Sequence, residues 1–227
     1  MTISMLLLFA LLGAILGLDV VSFPQAMVSR PIVASTIAGT LGGSASDGLL
    51  AGVVLEMMAL ETLPVGASRY PEWGTASVVG GALYVTRRGD ATSALLFAML
   101  GAMITAWVGG YSMYALRRLN GRWAKHSLPA LERGNASVVT WLQMRGVGAD
   151  LLRGFVLTGG ALALLVPLTS IAVANGHGDS ATIRAVLVAV AAAIAGSAAW
   201  KLSHGSKHGP WFFVGGLAIG CAMLLRA

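Results

Sequence analysis

The stretch from Ile32 to Leu60, "IVASTIAGTLGGSASDGLLAGVVLEMMAL", decides how this chain folds. It holds two apolar runs, Ile32 to Leu41 and Leu49 to Leu60, on either side of the small and polar turn GGSASDG. Each run is far shorter than the roughly 20 residues that a membrane-spanning helix needs. We therefore predict a re-entrant hairpin, whose irregular backbone is tolerated where protein or a water-filled cavity covers it. The alternative is one long span with an internal kink.

The whole chain is strongly apolar. Of its 227 residues, 56% are hydrophobic and 11% are charged, and the mean hydropathy is +0.79. Soluble domains carry about 25% charged residues, so this chain has too little polar surface for a water-soluble globule. The net charge of +6 does not indicate nucleic-acid binding, because the basic residues lie in connections between apolar runs. We predict an all-α integral membrane protein, a polytopic helical bundle with a re-entrant hairpin and broken helices.

The apolar runs predict a single membrane domain, residues 1–227, with two unequal parts. Residues 1–90 hold the hairpin and the candidate site, and residues 91–227 are predicted scaffold helices. The first run, Ile3 to Leu18, has no basic segment before it and no clear cleavage site, so we expect a retained helix. Residues 117–145 carry six basic residues and one acid. We predict that they form a cationic loop in the cytoplasm.

Polar residues at the predicted membrane depth are confined to the first third of the chain: Asp19, Gln25, Arg30, Glu56 and Glu61. An ionisable group in the bilayer core costs about 3 kcal/mol or more, so such groups pair, face water or bind a ligand. Glu56 is predicted in the last turn of a helix, and Glu61 on a segment broken near Pro64. Carboxylates beside a broken helix can accept hydrogen bonds from a polyol, which favours a sugar over an inorganic ion. Alternatively, Glu56 pairs with Arg30 and Glu61 with Arg69 as buried structural pairs.

The connection before the hairpin carries the other candidate residues. Asp19 and Gln25 flank the break at Pro24, and Arg30 precedes Pro31. We expect a buried Arg30 to pair with a carboxylate. Asp19 is equally consistent with a helix-end residue that faces water.

No catalytic, metal or nucleotide motif accompanies these residues. The histidines lie in polar connections, and glycines around His204 and His208 disfavour a helix that would bring them together, so no metal site or cofactor is predicted. The single Cys221 excludes an intramolecular disulfide and a CxxC site. The nucleotide-binding patterns GxxxxGK[ST] and GxGxxG do not occur.

Three stretches between Leu18 and Leu83 form a recognisable pattern: LDVVSFPQAMVSRPIVASTIAGTLGG, GLLAGVVLEMMALETLPVGASRYPEWG and ASVVGGAL. The residues that carry it are Leu18, Asp19, Gln25, Ser29, Arg30, Pro31, Gly48, Leu55, Glu56, Pro64, Gly66 and Pro71. The pattern resembles the IIC component of the mannose/sorbose-type phosphotransferase system. A weaker match to the same family is the stretch RGVGADLLRGFVLTG, Arg145 to Gly159. The hairpin turn departs from the family, since Gly42-Gly43-Ser44 replaces a frequent LGD.

The resemblance implies a multi-pass sugar permease subunit in the inner (cytoplasmic) membrane of a bacterium. Such a subunit translocates a mannose-type hexose, coupled to phosphorylation of the sugar by a cytoplasmic IIB partner. It pairs with a IID-type membrane subunit, forms oligomers and works with IIA and IIB phosphocarriers. Those carriers hold the phosphorylated histidines, so no phosphorylated or catalytic residue is expected in this chain.

The resemblance also assigns roles to the candidate residues. Glu56 would hydrogen-bond sugar hydroxyls, and Asp19, Gln25 and Arg30 would shape the same pocket. Glu61 lies outside the family pattern and is predicted to be a supporting carboxylate. Two other functions stay open: an ion-coupled secondary transporter that uses Glu56 or Glu61 as proton carrier, and a membrane assembly subunit without transport of its own.

Overall fold

The computed structural model describes residues 1–19, 22, 24–60, 70–87, 91–174, 185, 189–190, 192–194, 196–200 and 208–224. Its helices, numbered in chain order, are α1 (Ile3–Asp19), α2 (Pro31–Leu41), α3 (Ala45–Ala59), α4 (Trp73–Val85), α5 (Ala91–His126), α6 (Leu128–Glu132), α7 (Ala136–Ala174) and α8 (Gly209–Leu224). The described residues between 185 and 200 are also helical. Because no strand occurs in these ranges, the predicted all-α class is confirmed.

Within the described residues, two helices are long and apolar enough to cross a membrane, over Ser93–His126 and Ala136–Ile171. The outer face of α7 is apolar and exposed, with Leu152 64%, Val156 61% and Leu164 68% accessible. Contiguous apolar surface of this kind marks contact with a membrane or a partner rather than with water. The prediction of a membrane protein is confirmed.

Helices α2 and α3 form the predicted hairpin, but its turn is shorter than the sequence indicated. Only residues 42–44 separate the two helices. The Ser44 hydroxyl accepts a hydrogen bond from the Asp47 N–H at 3.4 Å and caps α3. This N-cap draws the second half of GGSASDG into the first turn of α3. Gly43 supplies the left-handed backbone of the turn, with φ of 92°.

Glycines bring the two arms of the hairpin into backbone contact. A Cβ atom on Gly48 would lie 2.5 Å from the carbonyl oxygen of Ser35 and 2.7 Å from the Cα atom of Gly39. Small residues allow such close approach of helices inside a membrane. The hairpin therefore packs as one unit. That it enters and leaves the membrane on the same side stays a prediction.

Helix α4 is the centre of the bundle. Every residue from Gly74 to Val85 is buried, and the helix packs against α1, α2, α3, α5 and α7. The largest buried apolar side chains of the core come from these same elements: Phe9, Leu55, Leu83, Met99 and Leu162. The two predicted parts, residues 1–90 and 91–227, therefore pack against each other through α4.

The prediction of a cationic loop over residues 117–145 is wrong in its secondary structure. Helix α5 continues to His126, α6 follows, and α7 begins at Ala136. The first Pro after the apolar part of α5 is Pro129, so nothing in the sequence breaks the helix earlier. Arg145 lies over the rings of Trp123 and Trp141, at 3.9 and 4.8 Å from their centroids. The segment is thus a helical hairpin whose arms are joined by the cation–π contact between Arg145 and Trp123.

Candidate functional site

The base of the α2–α3 hairpin carries an ion pair between Arg30 and Glu56. Glu56 lies in the last turn of α3, and Arg30 immediately precedes α2. The Arg30 side chain is 36% accessible and that of Glu56 is 18% accessible. The expected pairing of Arg30 with a carboxylate is therefore present, and the pair is only partly buried.

Glu56 also completes the beginning of α2. Its second carboxylate oxygen accepts a hydrogen bond from the Ile32 N–H at 3.2 Å. The first N–H groups of a helix have no partner within the helix, and the helix dipole favours a negative charge there. Gly52 allows this approach, because a Cβ atom at that position would lie 2.9 Å from the Cα atom of Ile32. Both carboxylate oxygens thus have a protein partner, and each retains a further lone pair.

Asp19 holds the connection between α1 and α2. It is the last residue of α1 and only 2% accessible, so it does not face water. Its carboxylate accepts hydrogen bonds from the Ala26 N–H at 2.6 Å, the Ser29 N–H at 2.9 Å and the Ser29 hydroxyl at 2.8 Å. The connection folds back onto α1 as a result, which places Arg30 beside α3.

Gln25 lies on the exposed side of that connection. Its backbone has φ of 60°, and Met27 has φ of 61°. Left-handed conformations at non-glycine residues are uncommon and cost about 1–3 kcal/mol each. The hydrogen bonds to Asp19 hold this conformation. Glu61, the fifth predicted site residue, lies outside the described residues, as do Pro64 and Arg69.

A second cluster of ionisable groups is fully buried between α4 and α7. Arg153 donates through Nε to Asp150 at 2.8 Å, and its NH1 atom lies 3.8 Å from Glu72 and 3.1 Å from the hydroxyl of Ser112. The hydroxyl of Ser22 donates to the other oxygen of Asp150 at 2.5 Å. Glu72 and Asp150 are 1% and 2% accessible. Two carboxylates therefore surround one guanidinium in the interior.

Glu72 has a local role as well. It caps α4, because its carboxylate accepts hydrogen bonds from the N–H of Thr75, at 3.1 Å, and from the Thr75 hydroxyl. Its own N–H donates to the carbonyl of Ala106 at 2.9 Å. Gly109 leaves room for this side chain, since a Cβ atom there would lie 2.9 Å from Cβ of Glu72. The cap thus fixes the beginning of α4 against α5.

This buried cluster corrects the prediction that ionisable groups at depth are confined to the first third of the chain. Asp150 and Arg153 belong to α7, far from the predicted site in sequence. The signal that could have found them is an acid and a base three residues apart within an apolar helix, the spacing of neighbours on one helix face. Among the described residues, no three His, Cys, Asp or Glu side chains lie close enough to hold a metal ion.

The fold and the hairpin site define an all-α integral membrane protein with a partly accessible ion pair at the base of a helical hairpin. A family model described as "PTS system sorbose-specific iic component" matches residues 2–175. The chain belongs to this IIC family of the phosphotransferase system (PTS). The predicted family is therefore confirmed.

Individual relatives agree with the family. The chain is 29% identical over 117 residues, half of its length, to the fructose permease IIC component of Bacillus subtilis. It is 23% identical over 124 residues, 55% of its length, to the PTS system mannose-specific EIIC component of Escherichia coli K12. The matched segments span 43% and 45% of these two relatives.

A solved structure titled "Structure of membrane protein" has the same fold. The match has a TM-score of 0.77 and covers 100% of this chain and 95% of the other chain. The sequence identity of 16% is low, so the likeness concerns the fold alone.

Proposed function

We propose that this chain is the sugar-translocating IIC subunit of a phosphoenolpyruvate-dependent phosphotransferase system. It is a multi-pass protein of a bacterial inner membrane, and its substrate is a mannose-type hexose. The observation that carries the proposal is the Arg30–Glu56 pair, which stays accessible at the base of a hairpin in a member of the IIC family. An ion pair with only a structural role could be buried completely.

The pair suits a sugar because it presents a donor and an acceptor side by side. The Glu56 carboxylate accepts hydrogen bonds from hydroxyl groups, and the Arg30 guanidinium donates to their oxygens. Hydrogen bonds to charged groups contribute about 1.5–3 kcal/mol each. In the empty state the two side chains satisfy each other, which keeps the site formed. Gln25, on the connection that Asp19 holds, adds an amide with both a donor and an acceptor.

Phosphorylation and assembly belong to partners in this proposal. Cytoplasmic IIA and IIB carriers bring the phosphoryl group, and IIB transfers it to the sugar, which traps the sugar inside. A IID-type membrane subunit completes the complex, as an oligomer.

Uptake by membrane vesicles that contain the chain and its IID partner tests the proposal. Labelled mannose should accumulate as a phosphate ester only when phosphoenolpyruvate and the carriers are supplied. Glu56→Gln should lower this uptake, whereas the matched control Glu132→Gln, at an exposed carboxylate of α6, should leave it unchanged. Uptake driven by a pH gradient without phosphoenolpyruvate would support the ion-coupled transporter instead. No uptake under either condition would support the assembly subunit.

A further inference from the structure

One exposed face of α5 changes from aromatic to basic toward the end of the helix. The residues along it are Trp107, Tyr111, Tyr114, Arg118, Arg122 and Lys125, and all are exposed. At 3.6 residues per turn they fall within a sector of about 80° around the helix axis. The last three, Arg118, Arg122 and Lys125, are called the basic stripe below.

The basic stripe has no anionic partner within the part of the chain that the structure describes. None of its three residues forms an ion pair or donates a hydrogen bond there, and Arg118 only lies over the ring of Tyr114, at 5.8 Å. The buried Arg153 of the same hairpin, in contrast, is paired with two carboxylates. The stripe therefore presents positive charge to the outside that no described acidic residue compensates.

The stripe lies on a supported element. Arg145 of α7 lies between Trp123 of α5 and Trp141, so the two arms of the hairpin are held together at the level of the stripe. Further along the arms, a cavity of about 550 Å³ is lined by residues of α5, α6 and α7 together with Ser127, including His126 and Trp141. The stripe thus lies on a helix that α7 holds in place, and the same helix carries the exposed aromatic residues.

The position of the stripe along α5 matches the headgroup layer of a bilayer. Helix α5 has 36 residues and is about 54 Å long, compared with about 30 Å for the hydrocarbon core. Exposed Trp and Tyr residues mark the membrane–water interface. From Tyr114, the Arg118 position is about 6 Å further along the axis, and the Arg122 position about 12 Å. The headgroup layer is about 5–8 Å thick on each side, and long basic side chains extend along such a boundary.

We propose that the basic stripe binds the phosphate of anionic phospholipid headgroups. The charge is complementary, and arginine matches the geometry of phosphate oxygens. A lipid is favoured over a soluble acidic protein because the stripe continues the exposed aromatic face of the same helix without interruption. Arg118 lies at headgroup level and the long side chain of Arg122 extends back toward that level, so these two residues carry most of the binding. Lys125, about 16 Å beyond Tyr114, contributes least.

Native mass spectrometry tests this proposal. The full chain is purified in detergent and incubated with equimolar phosphatidylglycerol and phosphatidylcholine. The chain should retain phosphatidylglycerol in preference. Arg118→Gln and Arg122→Gln should each lower the ratio of retained phosphatidylglycerol to phosphatidylcholine by about fivefold. Arg122→Lys should keep most of the preference for phosphatidylglycerol. The matched control is Arg133→Gln, which removes one exposed charge from the same hairpin away from the stripe.

Three results would overturn the proposal. The first is equal retention of the two lipids by the unchanged chain. The second is an equal loss of preference in Arg133→Gln and Arg122→Gln, which would mean that only the overall charge matters. The third is an unchanged lipid ratio in Arg122→Gln. A simultaneous loss of uptake driven by phosphoenolpyruvate would assign the stripe to an acidic protein partner instead.

Discussion

Arg153 is the residue whose removal should cost this fold most. Its guanidinium pairs with Asp150 at 2.8 Å and lies 3.8 Å from Glu72, and its side chain is only 8% accessible. Arg153→Met keeps an unbranched apolar chain but removes the positive charge. Asp150 would keep its hydrogen bond from Ser22, and Glu72 its bonds from Thr75. Both carboxylates would stay buried without a counter-charge.

The expected loss follows from that burial. Removing one partner of a buried ion pair costs about 3–5 kcal/mol, because the other charge stays uncompensated. For a chain of this size, each kcal/mol lowers the unfolding midpoint by about 2–4 °C. Arg153→Met should therefore lower the midpoint by about 6–20 °C. Thermal unfolding in detergent, followed by intrinsic tryptophan fluorescence, measures this shift.

Two further variants decide whether uncompensated charge is the cause. The control Arg133→Gln removes an exposed arginine and should leave the midpoint nearly unchanged. The triple variant Arg153→Met, Asp150→Asn, Glu72→Gln removes all three charges and should recover most of the loss. A shift below about 2 °C for Arg153→Met, which corresponds to less than about 1 kcal/mol, would refute the reasoning. A triple variant no more stable than the single variant would also refute it.

Three other predictions concern the hairpins. Gly48→Ala should lower stability by about 1–3 kcal/mol in the same unfolding assay, because its Cβ atom would lie 2.5 Å from a carbonyl oxygen. The control Gly148→Ala should leave stability unchanged, because no atom lies within 4 Å of its Cβ position. An equal loss of stability in both variants would contradict the backbone contact. Cysteines placed at Met27 and Leu60, in a cysteine-free background, should be labelled from the same side of the membrane; labelling from opposite sides would exclude the re-entrant hairpin. A reporter inserted at Gly134 should report the cytoplasm, and a periplasmic signal would reverse the topology.

The sequence was informative where a physical constraint acts on a short stretch of chain. The half-length apolar runs around a glycine turn predicted the α2–α3 hairpin, since neither run is long enough to span a bilayer. The length of the turn was overestimated because GGSASDG is small and polar throughout. Only the geometry shows that Ser44 caps α3 and that the helix starts at the next residue.

The missed features depend on contacts between distant parts of the chain. Glu72 and Arg153 are 81 positions apart, so their proximity cannot be read from spacing. The basic residues of 117–145 predicted a loop from charge alone, but Arg and Lys are good helix formers and no proline occurs before Pro129, so α5 continues to His126. The pairing of Arg30 with a carboxylate was predicted, with Glu56 as one possible partner, because a charge in apolar surroundings needs a partner.

Whether Glu56 binds sugar is tested most directly by calorimetric titration of mannose, and of fructose as a second sugar, into the purified complex with its IID partner. Glu56→Gln keeps the shape of the side chain and removes its charge, so it should weaken binding by about ten- to hundredfold, or about 1–3 kcal/mol, in a protein that still folds. The control Glu132→Gln should bind as the unchanged chain does. Unchanged affinity in Glu56→Gln, with a loss of folded protein instead, would contradict the account and make the Arg30–Glu56 pair a structural one.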